Sequence, residues 1–484
     1  MCIRDRTYDD FYLYVFKYTS QYIPQCKALE RFELAAMMQI ANVAAILPVV
    51  TSYGPAQYSC VLEGSDTYYY DSEETIYKRL FQDLKEAVEW LKDFRDSSPS
   101  QDLLDDFKRA DKVCDGDIDK WIKFANTLRL RIAMQLVKVY PDSQKEAEDA
   151  VRDGVLTNSD SDVVLKSGLM LFRIEDLWND TRANANIISI LQGYSDPRLE
   201  RWFATNNADI YSTDDELSPV VEKATKYLGV RQGVPMTRTE YQGYSKTSRV
   251  GIPEQGPRPV LRVAEAYFLR AEGMLRNWNM GDGTPESLYN EGIHSAWASV
   301  LGDESGWAGT YESYINGFIN TEEGGDFDWE LFEGGFGSAP YINYRNQEYN
   351  YYIEENGKQV GINRISVRWH DEDSPEKKLQ RIITQKWISF FPTLSSVAWT
   401  EYRRTGYPKL IPIPSDLNYS NGAIDTELQI RRLPFTQSEY RGNTEEVNKA
   451  LGLLKGPDNG GTRLWWDVDN GCLLYTSDAA DDGE

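Results

Sequence analysis

The sequence predicts a mainly α-helical protein built from tetratricopeptide-like helix pairs, with long loops and a few short β-strands. Three observations support this fold class. Apolar residues recur at helical spacing through the first half of the 484-residue chain. Residues 261–300 have the pattern of two helices joined by a turn. Residues 212–259 and 321–361 are rich in Gly, Tyr, Asn and acidic residues without periodicity, which is typical of long ordered loops with short strands.

Two long helices are predicted within the first hundred residues. A helix from about Cys26 to Leu47 is apolar nearly all round, which indicates a central position. Residues 74–94 show a clear apolar stripe, and Asp71 with Glu74 forms a plausible capping box at the start of this helix.

Two further helices follow before the chain changes character. Residues 118–139 place Trp121 and other apolar residues on one face, and Pro141 ends this helix. A short helix over 143–152 stops at Gly154.

The clearest helix pair spans 261–300, with NMGDGTP as the turn between the two apolar stripes. Two helices of this length joined by a loop are the unit of a tetratricopeptide-type solenoid, although that repeat's sequence signature is absent. Near the C-terminal end, residues 399–404 finish an amphipathic helix. Gly406 supplies a left-handed cap residue, and Pro408 prevents continuation of the helix.

Composition excludes several functions. The formal net charge of −24 opposes binding to nucleic acid or to an anionic lipid surface. Two histidines, five scattered cysteines and the absence of nucleophile-elbow or Walker motifs predict no catalytic residues, no metal site and no cofactor. His294 lies in a helical repeat and is predicted to be structural. Asp115, Asp117 and Asp119 imitate half of a calcium loop, but a helix N-terminus explains them better.

The apolar runs of the sequence bear on whether it spans a membrane, and its two ends set the domain boundaries. The most apolar run, Ile40–Val50, contains Asn42 and Pro48, so we expect no membrane-spanning segment. Residues 1–6 (MCIRDR) and 472–484 (CLLYTSDAADDGE) resemble translated sequencing-adapter read-through. We therefore predict a single domain over 7–471 and expect the natural N terminus to be missing.

Segments dispersed along this domain resemble blocks of the SusD/RagB family, particularly its SusD-like subgroup, in the family's order. They are VVTSYGPAQYS with the helix that begins at YYYDSEE, GDIDKWIKFANTLRLRIAM, GYSDPRL, LRVAEAYFLRAEG, LYNEGIHSAW, QKWISFF, EYRRTGYP, RRLPFTQSEY and TRLWWD. One departure is the turn after Gly54, which reads PAQY where the family usually has a proline one position later.

This resemblance implies a SusD-like fold, in which helix pairs form the scaffold and loops form the ligand face. It also implies a nutrient-binding, non-catalytic lipoprotein on the outer surface of the bacterial outer membrane. Such proteins capture glycans or other nutrients and act as a lid over a SusC-like TonB-dependent transporter. Their membrane attachment is a lipidated N-terminal cysteine, which this chain does not show.

Sugar binding calls for flat aromatic faces against C–H groups and planar polar groups for hydroxyls. Two loops, 306–314 and 326–352, offer both. The predicted ligand-binding residues are Trp307, Tyr311, Tyr314, Phe327, Trp329, Tyr341, Asn343, Tyr344 and Arg345. The alternative for each ring is that it only anchors its loop to the helices. Family positions predicted to be scaffold are Trp121, Trp387, Arg403, Arg404, Trp465 and Trp466.

Two other functions remain open at this stage. A helical-barrel glycoside hydrolase would use a pair of carboxylates about 5 to 10 Å apart, and 76 acidic residues make chance pairs unavoidable. A cytoplasmic helical-repeat scaffold for protein partners has a similar composition. The ligand itself, whether starch, another glycan or a peptide, is not encoded in the loop composition.

Overall fold

The computed structural model describes residues 17–165, 181–206, 227–237, 241, 243–247, 258–301, 311, 314, 353–355 and 358–468. Between residues 17 and 165 the described chain forms seven helices, one of them a single turn. They are α1 (Lys17–Ala28), α2 (Phe32–Tyr53), α3 (Ser59–Leu62), α4 (Glu73–Asp96), α5 (Gln101–Ala110), α6 (Ile118–Gln135) and α7 (Ser143–Arg152).

The described residues from 181 onward add eight helices and all but one of the described strands. The helices are α8 (Ala185–Gly193), α9 (Arg198–Trp202), α10 (Val263–Leu275), α11 (Pro285–Leu301), α12 (Pro375–Ser389), α13 (Ser395–Thr405), α14 (Gln437–Gly442) and α15 (Thr444–Leu451). The strands are β1 (Val163–Leu165), β2 (Arg258–Leu261), β3 (Ile353–Glu355) and β4 (Lys358–Val360).

Helix pairs are the organising feature of the fold. In the first half α1 packs on α2, α2 on α4, α4 on α6, and α6 on α7. In the second half α10 packs along α11, and α12 lies against both. The predicted mainly α-helical class with paired helices is confirmed.

The two halves share one hydrophobic core. Helix α13 contacts α2 and α6, and α10 also contacts α6. The largest apolar cluster runs from Ala36 to Trp466. The domain boundaries at 7 and 471 stay predictions.

The strands form two small antiparallel pairs. β1 pairs with β2, with Val163 opposite Leu261, and β3 pairs with β4, with Ile353 opposite Val360. β2 lies at the end of the first segment predicted to contain loops with short strands, and β3 and β4 lie at the end of the second, whereas β1 precedes both segments. Most of those two segments lies outside the described residues.

The predicted helix from Cys26 to Leu47 is wrong in its boundaries. The helix is interrupted between α1 and α2, where Glu30 adopts a left-handed φ of 56°. Helix α2 then continues through Pro48 to Tyr53. By length and composition α2, at 22 residues, could cross a membrane, and it is the one such helix among the described residues. The expectation that the chain has no membrane-spanning segment stays a prediction. Most of α2 is buried against its neighbours, which accounts for its apolar composition.

The N-terminus of α4 also differs from the prediction. Ser72 is the N-cap, and its hydroxyl accepts a hydrogen bond from Thr75 N at 3.2 Å. Asp71 instead turns back to accept from Ser59 N at 2.6 Å, so the predicted Asp71–Glu74 capping box is wrong. An aspartate carboxylate can accept hydrogen bonds from several nearby backbone N–H groups. Here the tertiary fold brings the backbone N–H of Ser59 within hydrogen-bond distance of the Asp71 carboxylate.

Other helix ends follow the prediction more closely. The helix over 143–152 and the pair in 261–300 are confirmed. Helix α6 ends at Gln135, earlier than the predicted 139, and continues as turns to Val139. Gly406 adopts the left-handed conformation after α13, with φ at 74°, as expected for a helix cap.

The aspartates before α6 act as predicted for a helix start. Asp117 is the N-cap, and its carboxylate accepts from Lys120 N at 2.9 Å. Asp119, in the first turn, pairs with Arg95 at 2.7 Å. In the part of the chain that the structure describes, no three His, Cys, Asp or Glu side chains come together in a way that could hold a metal ion.

Candidate functional site

Two of the nine predicted ligand-binding residues, Tyr311 and Tyr314, are described by the structure. The other seven lie outside the described residues: Trp307, Phe327, Trp329, Tyr341, Asn343, Tyr344 and Arg345. The site is therefore built from the surface on which Tyr311 and Tyr314 rest.

That surface is an array of rings that we call the aromatic wall. It comprises Tyr194, Trp202, Tyr289, Trp297, Tyr311 and Tyr314. Trp297 holds the middle, with ring centroids 5.5 Å from Tyr311 and 5.0 Å from Tyr314. Tyr289 and Trp297 lie two turns apart on the buried face of α11, so the helical period places both rings on the same side.

A buried arginine supports the wall from below. Arg198 is fully buried, and its guanidinium makes hydrogen bonds of 2.6 to 3.1 Å to both carboxylate oxygens of Asp196. Its Nη2 also donates to the hydroxyl of Tyr314 at 3.2 Å. The guanidinium carbon lies 5.5 to 5.8 Å from the ring centroids of Trp202, Tyr314 and Trp297.

The sequence around Arg198 explains why it is held so firmly. Within GYSDPRL, Asp196 also accepts from the backbone N–H of Arg198 at 2.9 Å, while Pro197 begins the short helix α9. In the sequence this block stands out only by its family resemblance, and no pattern there predicts a role for Asp196 or Arg198. The signal was a carboxylate two residues before an arginine, which is common on protein surfaces.

The hydroxyl of Tyr314 makes hydrogen bonds to two buried side chains of the protein. Besides Arg198, it exchanges hydrogen bonds with the side-chain amide of Gln385 on α12, at 3.1 to 3.3 Å. Burial, with Asp196 nearby, raises the pKa of Tyr314 well above its usual value, so the phenol stays neutral. The structure gives Tyr314 an anchoring position, and its contact with a ligand stays a prediction.

Tyr311 lies nearer the surface. Its ring is half-buried, edge-on to Trp297 and to the exposed His294, whose ring centroid is 5.2 Å away. Its hydroxyl donates to the carbonyl oxygen of Asn290 at 3.3 Å. Ligand contact by Tyr311 also stays a prediction, but part of its ring reaches solvent.

A second segment, 362–370, is fastened to the same wall. The hydroxyl of Tyr289 donates to Val367 O at 2.7 Å, and that of Tyr194 donates to Ile365 O at 3.2 Å. The ring of Trp369 lies 5.4 Å from that of Tyr289. This segment could not be predicted from the sequence, because its residues have no periodicity.

The paired arginines of the family blocks EYRRTGYP and RRLPFTQSEY lie elsewhere, in what we call the arginine clamp. It comprises Arg403, Arg404, Arg431 and Arg432 with the acidic residues Glu272, Glu401, Asp458 and Asp467. Arg404 of α13 binds both oxygens of Glu272 on α10, at 2.6 and 2.7 Å, and Glu401 at 2.6 Å. Burial alone would raise the pKa of Glu272, but Arg404 and Arg276 outweigh it and hold the pKa low.

Arg403 ties α13 to the C-terminal segment. Its guanidinium lies 3.5 Å from the ring centroid of Trp399 and 4.8 Å from that of Trp466. It donates to Arg431 O at 2.7 Å, and Arg431 donates back to Arg403 O at 2.6 Å. Arg431 also binds Asp467.

The clamp also joins the two ends of the described chain. Arg432 donates to Tyr53 O at 3.0 Å, and Trp465 N donates to the buried carboxylate of Glu73 at 3.0 Å. Gly54 has a φ of 88°, and a Cβ there would lie 2.8 Å from Leu464, so this turn requires glycine. The first and last family segments therefore meet in space.

The predicted scaffold role of the motif residues is confirmed by their burial. Trp121, Arg403, Arg404 and Trp466 are buried, and Trp387 and Trp465 are partly buried against the core. Their contacts are internal, so the residues that carry the family resemblance most clearly build the scaffold.

Comparison with known proteins identifies the class. The sequence profile described as "Susd and RagB outer membrane lipoprotein" matches residues 3–311 and 336–467. With its paired helices, the chain thus has the fold of an outer-membrane lipoprotein class. It belongs to the SusD/RagB family. A search of curated proteins gives no match.

Solved structures agree over nearly the whole chain. A chitin-binding SusD homologue from Flavobacterium johnsoniae is 34% identical, with a TM-score of 0.78, covering 96% of this chain and 86% of that chain. A SusD homologue from Bacteroides uniformis is 30% identical, with a TM-score of 0.76, covering 94% and 85%. One from Bacteroides vulgatus is 29% identical, with a TM-score of 0.78, covering 95% and 84%.

Proposed function

We propose that this protein binds glycans or related nutrients at the bacterial cell surface without altering them. It then delivers them to a SusC-like TonB-dependent transporter in the outer membrane. The family is described as an outer-membrane lipoprotein family, which supports the location. Exposure on the cell surface and delivery to the transporter are the further steps that we propose.

The observation that carries the ligand class is the similarity to the Flavobacterium johnsoniae protein. That protein is described as chitin-binding, and the similarity extends over 96% of this chain. A chitin oligosaccharide, a chain of N-acetylglucosamine units, is therefore the first ligand to test. Its acetamido groups offer both hydrogen-bond donors and acceptors, and its ring faces suit aromatic stacking.

We place ligand contact on the nine residues predicted from the sequence. Tyr311 is the member of this set with a half-exposed ring in the described structure, and Trp297 backs it at 5.5 Å. A ring fixed from behind loses little conformational entropy on binding, which favours affinity. The buried Tyr314 would hold the base of the same loop.

The test is binding with product analysis in one sample. Isothermal titration calorimetry with chitohexaose, cellohexaose and maltohexaose compares sugars of equal length that differ in linkage and in the acetamido group. We expect binding of at least one of them, with chitohexaose tightest. Chromatography of the same samples after overnight incubation should show the sugar intact.

Two results would contradict the proposal. Reducing ends released in proportion to protein concentration would mean that the protein is a hydrolase. No detectable binding to these sugars or to a broad glycan array would remove glycans as the ligand class.

A further inference from the structure

His294 is an exposed histidine on α11, at the outer edge of the aromatic wall. Its ring contacts that of Tyr311, but its imidazole makes no hydrogen bond or ion pair with the described residues. The sequence predicts a structural role for His294. A side chain that is exposed and makes no hydrogen bond contributes little to the stability of a fold, so this histidine calls for a different role.

The second of the two histidines in the chain shows how a structural imidazole is held. His370 Nε2 lies 3.1 Å from the hydroxyl of Ser366, and its Nδ1 lies 3.4 Å from a carboxylate oxygen of Glu372. Both ring nitrogens of His370 therefore have partners inside the protein. A neutral imidazole offers one N–H donor and one acceptor nitrogen, and His294 keeps both available on the described surface.

The ring beside His294 is held in a fixed position. The Tyr311 ring is nearly perpendicular to both its neighbours, at 67° to His294 and 68° to Trp297. Its hydroxyl donates to the carbonyl oxygen of Asn290, which belongs to the same helix as His294. A half-exposed aromatic ring and a free hydrogen-bonding group are thus presented side by side, 5.2 Å apart between ring centroids.

The surroundings of His294 on α11 are fixed on one side and low on the other. Glu291, one turn earlier, accepts a hydrogen bond from the side-chain amide of Asn158. The backbone N–H of Asn158 in turn donates to the hydroxyl of Tyr267 at 3.0 Å. Ala298, one turn after His294, has a short side chain. Helix α11 itself therefore leaves room beside the imidazole for a ligand group.

Charge and shape select among sugars at this position. Acidic sugars are disfavoured by the exposed carboxylate of Glu291 and by the net charge of −24. Among neutral sugars, a hydroxyl group could bond to the imidazole but would leave the neighbouring ring without an apolar contact. An acetamido group carries an amide for the imidazole and a methyl group for the aromatic ring, so it matches both.

We propose that His294 is the residue that distinguishes acetamido sugars from plain glucans. Its imidazole hydrogen-bonds to the amide of the acetamido group, while the Tyr311 ring contacts the methyl group and the adjoining sugar. This inference rests on the proposed function, which supplies the sugar, and it adds a contact residue outside the nine predicted from the sequence.

The presence of two histidines in the chain makes a direct test possible. Imidazole signals of the full chain, purified with a tag that contains no histidine, are followed by proton–carbon NMR during titration with chitohexaose. His370→Gln assigns the two signals by removing one of them. We expect the His294 signal to shift with the sugar concentration and the His370 signal to stay in place.

Calorimetry with chitohexaose and cellohexaose then measures specificity. We expect His294→Ala to lose about tenfold in affinity for chitohexaose and less than about twofold for cellohexaose. His294→Gln should recover part of the loss, because its amide keeps a donor and an acceptor. His370→Gln is the control, and it should bind both sugars as the unmutated protein does. Thermal unfolding of each variant should stay unchanged at position 294.

The possible failures are distinguishable. A stationary His294 signal, with unchanged chitohexaose affinity in His294→Ala, would overturn this inference and leave glycan binding intact. Equal losses for both sugars would overturn the acetamido specificity. A lowered unfolding temperature of His294→Ala with unchanged affinities would restore the structural role. No binding of either sugar by the unmutated protein would contradict the proposed function itself, and this inference with it.

Discussion

The arginine clamp and the aromatic wall are both buried, yet they are built from different chemistry. The clamp joins distant parts of the chain through ion pairs such as Arg404–Glu272, whose side chains are almost wholly inside. The wall joins α9, α11 and α12 through rings and one central arginine, Arg198. Its outer edge, at Tyr311 and His294, reaches solvent.

This difference separates two roles, stabilising the fold and contacting a ligand. The spacing of motifs along the sequence does not distinguish them. A charge buried in a pair cannot contact a ligand without leaving its partner uncompensated, which is costly. A ring with one edge in solvent can contact a ligand while the rest of it stays packed. We therefore expect changes in the clamp to alter stability and changes at the edge of the wall to alter binding.

The largest effect is expected in the clamp. Glu272→Gln removes the carboxylate that Arg404 and Arg276 share, and leaves their charges buried. We expect a loss of about 4 kcal/mol in the free energy of unfolding, measured by urea denaturation. Glu74→Gln, at an exposed carboxylate paired with Lys78, is the control and should leave the midpoint unchanged. A stable Glu272→Gln protein with weakened sugar binding would reverse the roles of the two regions.

The next effect is a pH dependence beside the clamp. Burial raises the pKa of Glu73 to about 8, although the hydrogen bond from Trp465 N and the nearby Arg432 and Arg403 oppose the rise. The folded protein keeps this proton between pH 4.5 and 8, where the unfolded chain has lost it. Stability from this group is fully present below pH 4.5 and is lost as the pH rises to about 8. We expect the loss to be on the order of 3 kcal/mol.

Glu73→Gln tests this pH dependence directly. The amide keeps an acceptor for Trp465 N but does not titrate, so the slope of unfolding free energy against pH between 5 and about 8 should flatten. Urea denaturation at several pH values measures that slope. If the variant keeps the slope of the unmutated protein, another group is responsible.

A smaller effect is expected inside the wall. Tyr314→Phe removes the hydroxyl that Arg198 and Gln385 contact, at a cost of about 1 to 2 kcal/mol in unfolding free energy. Sugar affinity should also fall, because the base of the predicted ligand loop loses an anchor. Tyr77→Phe is the matched control, since the buried Tyr77 hydroxyl accepts from Gln135 at 2.7 Å, in the scaffold. It should lose similar stability and keep its sugar affinity.

The smallest effect on stability is expected at the outer edge of the wall. Tyr311→Ala removes a half-exposed ring, so unfolding should change by about 1 kcal/mol, while sugar affinity falls by about tenfold. Tyr419→Ala, at a ring that is 79% exposed away from the wall, is the control for non-specific loss of aromatic surface. Calorimetry with chitohexaose measures both. Equal affinity in the two variants would limit Tyr311 to packing.

The sequence predicted the regular elements well where helical periodicity was strong. The pair α10–α11 was predicted because its apolar stripes repeat over several turns, and helix α7 was predicted with its stop at Gly154. It merged α1 with α2, because Glu30 can adopt a left-handed conformation that its residue type does not announce. The N-cap of α4 was predicted wrongly, because the Asp71 carboxylate accepts a hydrogen bond from Ser59 N instead. That hydrogen bond depends on the tertiary structure.

The candidate site was predicted less completely. Tyr311 and Tyr314 were chosen for their residue type, but the difference between them, one half-exposed and one buried, depends on Trp297, Arg198 and Gln385. Arg198 could not be singled out, because one Asp–x–Arg among many charged residues has no distinguishing pattern. Arg198 is buried because three elements of the fold pack around it.

By itself the sequence determined the helical scaffold and the family, because periodicity and ordered motifs are local or linear features of the chain. Tertiary structure alone decided that the motif arginines lock the first and last family segments together, and that the ligand-side tyrosines rest on a buried Arg198. The physical reason is that burial and pairing of charges depend on which distant residues meet, and spacing along the chain does not encode those meetings.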